Sequence, residues 1–216
     1  VYSQRTMNLP LSLAETVEIA HANNIPVIVD AAAEVPPAEN LRGLQETGAD
    51  VVVISGGKGL RGPQNSALVL CSEAMVEICI PHAAPLHSHG RSMKTTKEDM
   101  IGLVKAVEIY QALDHDVITQ QWKAEVATVV AAMADIDGVA GAPGYAGYSD
   151  GIPVAQLAIE PQVVGHDAVD IAAALANGDP SIRVAQDRQN LTINPQFLQT
   201  GELDVVIRRL RELFTA

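Results

Sequence analysis

Residues 25–71 read IPVIVDAAAEVPPAENLRGLQETGADVVVISGGKGLRGPQNSALVLC, and this stretch decides the fold. It holds three short runs rich in apolar and β-branched residues: IPVIVD (25–30), DVVVIS (50–55) and ALVLC (67–71). Near-continuous apolar runs of this length fit strands buried on both faces, as in a parallel sheet. Between the first two lies a helical piece, 41–47, ending near Gly48. Between the second and third lies a glycine-rich loop, GGKGLRGPQN (56–65). Upstream, SLAETVEIAHAN (12–23) places Leu13, Val17 and Ala20 at helical spacing, and Ser12 with Glu15 forms a capping box. Alternation of helix and strand predicts an α/β fold.

Two residues in this stretch carry chemistry. Asp30 stands at the carboxyl end of the first run, and Lys58 stands just past the end of the second. Open α/β sheets bind ligands at strand carboxyl ends, so both residues are expected at one crevice. A lysine amine condenses with the aldehyde of pyridoxal phosphate, and an aspartate keeps its pyridine nitrogen protonated. Ser55, three residues before Lys58, offers a hydroxyl to phosphate, and Gly56, Gly57 and Gly59 permit close backbone approach. By spacing alone, the plainer reading leads: Asp30 caps a turn and Lys58 stands in solvent. A P-loop is excluded, because its first glycine and its Ser or Thr fall on Val52 and Gly59.

The remainder of the chain changes character. A helix is expected over 72–79, then an irregular segment, 80–96, with His82, His87 and His89. Their scatter matches no zinc spacing, so no metal is expected. A long helix over 97–115 is predicted to face inward through Met100, Val104, Val107 and Leu113. A second helix spans 118–135 with the sole Trp, Trp122. Residues 138–151 read as a loop rich in Gly, Pro and Tyr. PVAQLAIE (153–160) alternates as a strand, 165–177 reads as a helix, and SIRVA (181–185) and NLTIN (190–194) read as paired strands. A last helix covers 201–214. The second half is an α+β unit, so domains are drawn at 1–110 and 111–216.

Composition narrows the classes. The chain has 216 residues, 48% apolar and 3% aromatic, with a net charge of −12. Such a surface repels polyanions, which makes nucleic acid an unexpected partner. Arg208, Arg209 and Arg211 cluster near a helix end, where they favour the negative pole of its dipole. Cys71 and Cys79 form no disulfide framework or metal motif and read as buried free thiols in a reducing cytoplasm. No stretch approaches the ~20 apolar residues of a membrane span. The chain begins at Val1 with no signal-peptide pattern, and an N-terminal portion is expected to precede it.

The segment 25–71 resembles the selenocysteine-synthase-like family of fold-type-I pyridoxal-phosphate enzymes, which includes L-seryl-tRNA(Sec) selenium transferase and D-glucosaminate-6-phosphate ammonia-lyase. The resemblance continues through HGRSMKTTKEDMIGLVKAVEIY (89–110), and more faintly through GDPSIRV (178–184) and Asn194-Pro195 to Gly201-Glu202. It implies the C-terminal part of a fold-type-I enzyme: part of a large, mostly parallel α/β domain, followed by a small α+β domain. It implies that Lys58 is the Schiff-base lysine, Asp30 the pyridine-nitrogen partner, and Ser55 and Gly57 part of the cofactor site, with Gln64 in the same motif. Arg61 faces substrate phosphate or carboxylate, or holds the loop. Arg183, expected on a strand of the small domain, is similar to the substrate-carboxylate arginine of this fold class, or is a surface arginine. His89 assists proton transfer or is an ordinary loop histidine, Arg91 and Lys94 are positioned to approach phosphate, and Glu34 is left open. The implied activity is β-elimination on a small hydroxy amino acid or amino sugar acid, of the ammonia-lyase kind, in a homo-oligomer with sites at the subunit interface. The alternatives are selenium transfer, amino transfer, or a non-catalytic relative kept for assembly.

Overall fold

The computed structural model describes residues 2–3, 11–146 and 151–215. The chain divides into two compact units, 1–114 and 115–216. In the first, chain order is β1 (Tyr2–Ser3), α1 (Leu13–Ala22), β2 (Ile28–Asp30), α2 (Asn40–Glu46), β3 (Val51–Ser55), β4 (Ala67–Cys71), α3 (Glu73–Cys79) and α4 (Lys97–Ala112). The sheet order is β1-β2-β3-β4. The first three strands are parallel, and β4 returns antiparallel to β3. The Ser12–Glu15 box starts α1: the Ser12 hydroxyl accepts from the Glu15 amide at 3.2 Å, and the Glu15 carboxylate accepts from the Ser12 amide at 2.7 Å.

One core serves this unit. Val29, Val52 and Ile54 are fully buried, and Leu13, Val17, Leu41, Leu44, Leu103 and Tyr110 pack with them. Strand side chains alternate between faces, and Ile28, Asp30 and Val69 are exposed. The runs of β2 and β4 therefore leave one face exposed rather than both buried, whereas β3 also buries Val51 on the face opposite Val52; α1, α2 and α4 close a core with the Val29–Val52–Ile54 side.

Of the four residues expected on the inward face of α4, only Val107 packs on the core. Met100, Val104 and Leu113 are exposed, while Leu103, Val107 and Tyr110 meet the core. This helix carries two apolar stripes. The inward one is chosen by small residues: Gly102 lies against Pro63, and Ala106 against Gly62. A bulkier stripe would hold α4 away from the 56–66 loop. Burial of Tyr110, with the Glu39 charge second, pushes its hydroxyl pKa up to about 12. Both cysteines are free thiols, but neither is buried: Cys71 is half-buried and Cys79 exposed.

The second unit contains α5 (His115–Met133), β5 (Val139–Tyr145), β6 (Pro153–Ile159), α6 (Pro161–Val164), α7 (Ala168–Ala176), β7 (Ala185–Gln186), β8 (Asn190–Ile193) and α8 (Glu202–Phe214). Its sheet order is β5-β6-β8-β7, antiparallel throughout. Strand β6 buries Ala155, Leu157 and Ile159 and exposes Gln156 and Ala158. The buried side joins Val129 and Met133 of α5, Ile171 and Leu175 of α7, and Leu210 and Phe214 of α8.

Three expectations change here. Residues 139–145 form a seven-residue strand rather than loop, and 147–150 lie outside the described residues. Among the described residues β5 is an edge strand, where Pro143 costs no ladder hydrogen bond. The helix expected over 165–177 starts only at Ala168, because Gly165 ends α6 in the left-handed conformation and Asp167 caps α7. The strand expected over 181–185 shrinks to Ala185–Gln186.

The arginines of α8 are held by ion pairs rather than by the helix pole alone. Arg208 and Arg209 meet Glu212 at 3.1 and 2.5 Å. Arg211 grips Asp135 with two bonds, of 2.6 and 2.8 Å, and also donates to the Ala132 carbonyl. Among the described residues no helix is long and apolar enough to cross a membrane.

Candidate active site

The site is built on the carboxyl ends of β2 and β3. The two strands are parallel and in register, Ile28 with Val51 and Asp30 with Val53. The Ala31 amide extends the ladder by donating to the Val53 carbonyl at 2.9 Å. Parallel neighbours lie ~4.8 Å apart and end at the same sheet edge, so Asp30 and Ser55 open onto one edge. The Asp30 carboxylate is exposed, and one oxygen accepts from the Ala32 amide at 3.1 Å. That short-range bond turns the chain away from the strand and fixes where the carboxylate stands.

Lys58 projects from a loop closed by its own hydrogen bonds. The Gly56 amide donates to the Ser66 carbonyl at 2.9 Å, and the Gly62 amide to the Gly56 carbonyl at 2.7 Å. The Arg61 amide donates to the Lys58 carbonyl at 2.9 Å, so Lys58 opens a tight turn. The Gln64 side-chain amide donates to the Gly57 carbonyl at 3.1 Å. Arg61 closes the turn with φ 55, a left-handed conformation that costs a non-glycine residue about 1–2 kcal/mol. Such strain is retained only where surrounding bonds over-determine it. Gly59 is required for another reason: a methyl group there would collide with the Val35 carbonyl. The Lys58 turn thus rests directly on the backbone that follows β2.

Lys58 is exposed, and among the described residues neither Lys58 nor Asp30 takes part in an ion pair. An exposed amine and a carboxylate held by the Ala32 amide, neither in an ion pair among the described residues, belong to the sheet edge that also carries the half-buried Ser55. This donor set fits pyridoxal phosphate: an amine for its aldehyde, an acid for its ring nitrogen, and a hydroxyl with glycine backbone for its phosphate. Gly57 carries the carbonyl that Gln64 holds.

The other expected residues are carried by different segments. His89 lies in the Ile80–Arg91 segment, which closes on itself. The His82 Nδ1 and Ser88 Oγ are 2.8 Å apart, the Gly90 amide donates to the His82 carbonyl at 2.7 Å, and the His82 and His89 rings are 5.9 Å apart. Arg183 belongs to the second unit and is exposed, in an extended stretch before β7 rather than on a ladder strand. Arg61 is exposed at the end of the Lys58 turn. Among the described residues no cluster of three His, Cys, Asp or Glu side chains is arranged to hold a metal.

Asn40 carries no signal in the sequence. It is the first residue of α2 yet caps nothing there. Its side-chain amide instead reaches back to donate to the Glu34 carbonyl at 2.6 Å. Glu34 is 4% exposed. No sequence motif marks a bond of this kind, which only the fold closes.

An α/β unit with parallel strands, followed by an antiparallel α+β unit, is the fold of the fold-type-I pyridoxal-phosphate enzymes. A solved structure of ureidoglycine-glyoxylate aminotransferase from Bacillus subtilis shares the fold with a TM-score of 0.63 at 15% identity, over 95% of this chain and 56% of that one. Nearer in sequence is the D-glucosaminate-6-phosphate ammonia lyase of Salmonella typhimurium, 32% identical over 206 residues, 94% of this chain and 53% of the relative. A solved D-glucosaminate-6-phosphate ammonia-lyase matches with a TM-score of 0.70 and 29% identity, over 95% and 53% of the two chains. These matches bear out the resemblance read from the sequence: the chain has the fold of the fold-type-I pyridoxal-phosphate enzymes and is similar in sequence to a D-glucosaminate-6-phosphate ammonia lyase. A 5'-C-glycyluridine monooxygenase-decarboxylase of a Streptomyces species is 29% identical over 93% of this chain and 49% of that one. The chain spans about half the length of the curated relatives it matches. No family profile matches it.

Proposed function

We propose that this protein is a pyridoxal-phosphate lyase that eliminates a β-substituent and releases ammonia from a small amino sugar acid or hydroxy amino acid. The observation that carries the reading is that Asp30, at the end of β2, and Lys58, in the loop that follows its parallel neighbour β3, are both exposed and outside any ion pair among the described residues. When bound, the cofactor supplies an electron sink for the bond broken at the substrate's α-carbon. Lys58 would hold the cofactor through its amine, and its free amine would take the substrate's α-proton at Nζ. Asp30 keeps the ring nitrogen protonated, steered by its bond from the Ala32 amide. Ser55 and the backbone around Gly57 hold phosphate. Arg183 and Arg61 are assigned to the substrate's carboxylate or phosphate, and His89 to proton transfer. In this reading residues 1–110 are the C-terminal portion of the cofactor-binding domain and 111–216 the small domain, within a cytoplasmic homo-oligomer.

The similarity to a monooxygenase-decarboxylase favours a second reading, loss of carbon dioxide at the same carbon. One experiment separates them. The protein saturated with pyridoxal phosphate is incubated with D-glucosaminate-6-phosphate, with L-serine, and with an amino acid plus a keto acid. Release of ammonia and a keto acid from the first supports the lyase. Carbon dioxide release, or amino transfer without free ammonia, overturns it.

A further inference from the structure

The Lys58 turn is not supported by its own hydrogen bonds alone. Gly59 lies so close to the Val35 carbonyl that no side chain fits between them. The position of that carbonyl therefore sets the position of the turn. Val35 is itself 3% exposed, and the peptide group before it is the one whose oxygen Asn40 holds. The Glu34 amide donates to the Ala31 carbonyl at 3.1 Å, so the same short segment runs back to Asp30. At the first position of a helix an asparagine gains nothing from this bond locally, because α2 has no side-chain cap. What the bond does is fix the segment that separates the aspartate from the surface on which the lysine turn rests.

We infer that Asn40 is a positioning residue for Lys58, acting through the Glu34–Val35 backbone; this rests on the role proposed for Lys58 above. Asn40→Asp keeps the size and removes the donor, setting an oxygen against the Glu34 carbonyl. Asn23→Asp is the control, since Asn23 makes the same kind of bond, to the Ile19 carbonyl at 2.8 Å, at the end of α1.

Two readouts test the inference. Hydrogen exchange is first followed in cofactor-free protein at the Arg61 and Gly62 amides, which close the Lys58 turn. N40D is expected to speed their exchange about tenfold, the factor one hydrogen bond is worth, while N23D leaves them unchanged. In the cofactor-loaded enzyme N40D is expected to lower kcat between about tenfold and a hundredfold with KM held within about twofold, as for a misplaced reacting group. Uniformly faster exchange across the first unit, or unchanged exchange at Arg61 and Gly62 with unchanged kcat, overturns the inference. If N40D does not fold, Asn40→Ser, which keeps a shorter donor, is read by the same two measurements and the same criteria. Failure of Lys58 to hold the cofactor in the unmutated protein would sink the functional reading instead, and the exchange result would still decide whether Asn40 braces the turn.

Discussion

Gly59→Ala perturbs the site without touching a charged group. The new methyl would lie 2.6 Å from the Val35 carbonyl carbon and 3.2 Å from the Pro36 nitrogen, as well as colliding with the carbonyl oxygen. Carbon atoms in ordinary contact stand ~3.5–4.0 Å apart, and the carbonyl oxygen is nearer still, so the two backbones must part by more than ~1 Å. The obstacle is main chain in a buried segment tied by Asn40, so it cannot swing aside as a flexible side chain would. Overpacking of this kind costs about 1–3 kcal/mol. A 1 Å displacement of a reacting group costs about a hundredfold in rate. Urea unfolding and kcat in the cofactor-loaded enzyme measure the two effects. Gly43→Ala is the control: nothing lies within 4 Å of its added methyl in α2, and removing a mid-helix glycine stabilises by about 0.5–1 kcal/mol. If G59A were as stable and as active as the unmutated protein, the claim that the Lys58 turn rests on the Val35 backbone would be wrong.

Asp30→Asn is expected to leave the cofactor attached to Lys58 but to lower kcat by about a hundredfold or more, the scale of losing one electrostatic partner in a site; steady-state kinetics checks this. Leu157, fully buried in the second unit's core, is expected to cost about 2–5 kcal/mol as Leu157→Ala, read by urea denaturation. The Arg211 guanidinium holds the Asp135 carboxyl down at about 2. Its folded pKa is thus below the unfolded value of ~3.9, so the pair's stabilisation is complete above ~3.9 and is lost as pH falls through about 2. Asp135→Asn is expected to flatten the stability profile over that window, and unchanged acid unfolding midpoints would contradict the pairing.

Much of the first unit was legible because its signals are local. The Ser12–Glu15 box, the strand ends at Asp30 and Ser55, and the glycine turn around Lys58 are each set by residues within a few positions of one another. The errors came where distant packing decides. Met100 and Val104 lie at helical spacing as well as Leu103 and Val107 do, and only the fit of Gly102 and Ala106 against Pro63 and Gly62 chooses between the stripes. The 139–145 segment lacks strand propensity, yet seven residue pairs with β6 make it a strand at the sheet edge, where Pro143 is tolerated. Cysteine is usually buried, but Cys79 ends a short helix with no buried residue and stays exposed. The Asn40 bond spans six residues and has no pattern to find. The apolar neighbours of Arg183, Ile182 and Val184, give the segment a strand-like pattern, but they pack on the core without joining a ladder.

The central claim is that Lys58 holds the cofactor. Borohydride reduction of the protein saturated with pyridoxal phosphate, followed by protease digestion and mass spectrometry, tests it directly. The account predicts one modified peptide, spanning Lys58 and carrying the mass of a phosphopyridoxyl group, and its loss in Lys58→Ala. Modification at another lysine with Lys58 unmodified, or the same labelling in the variant, would contradict it.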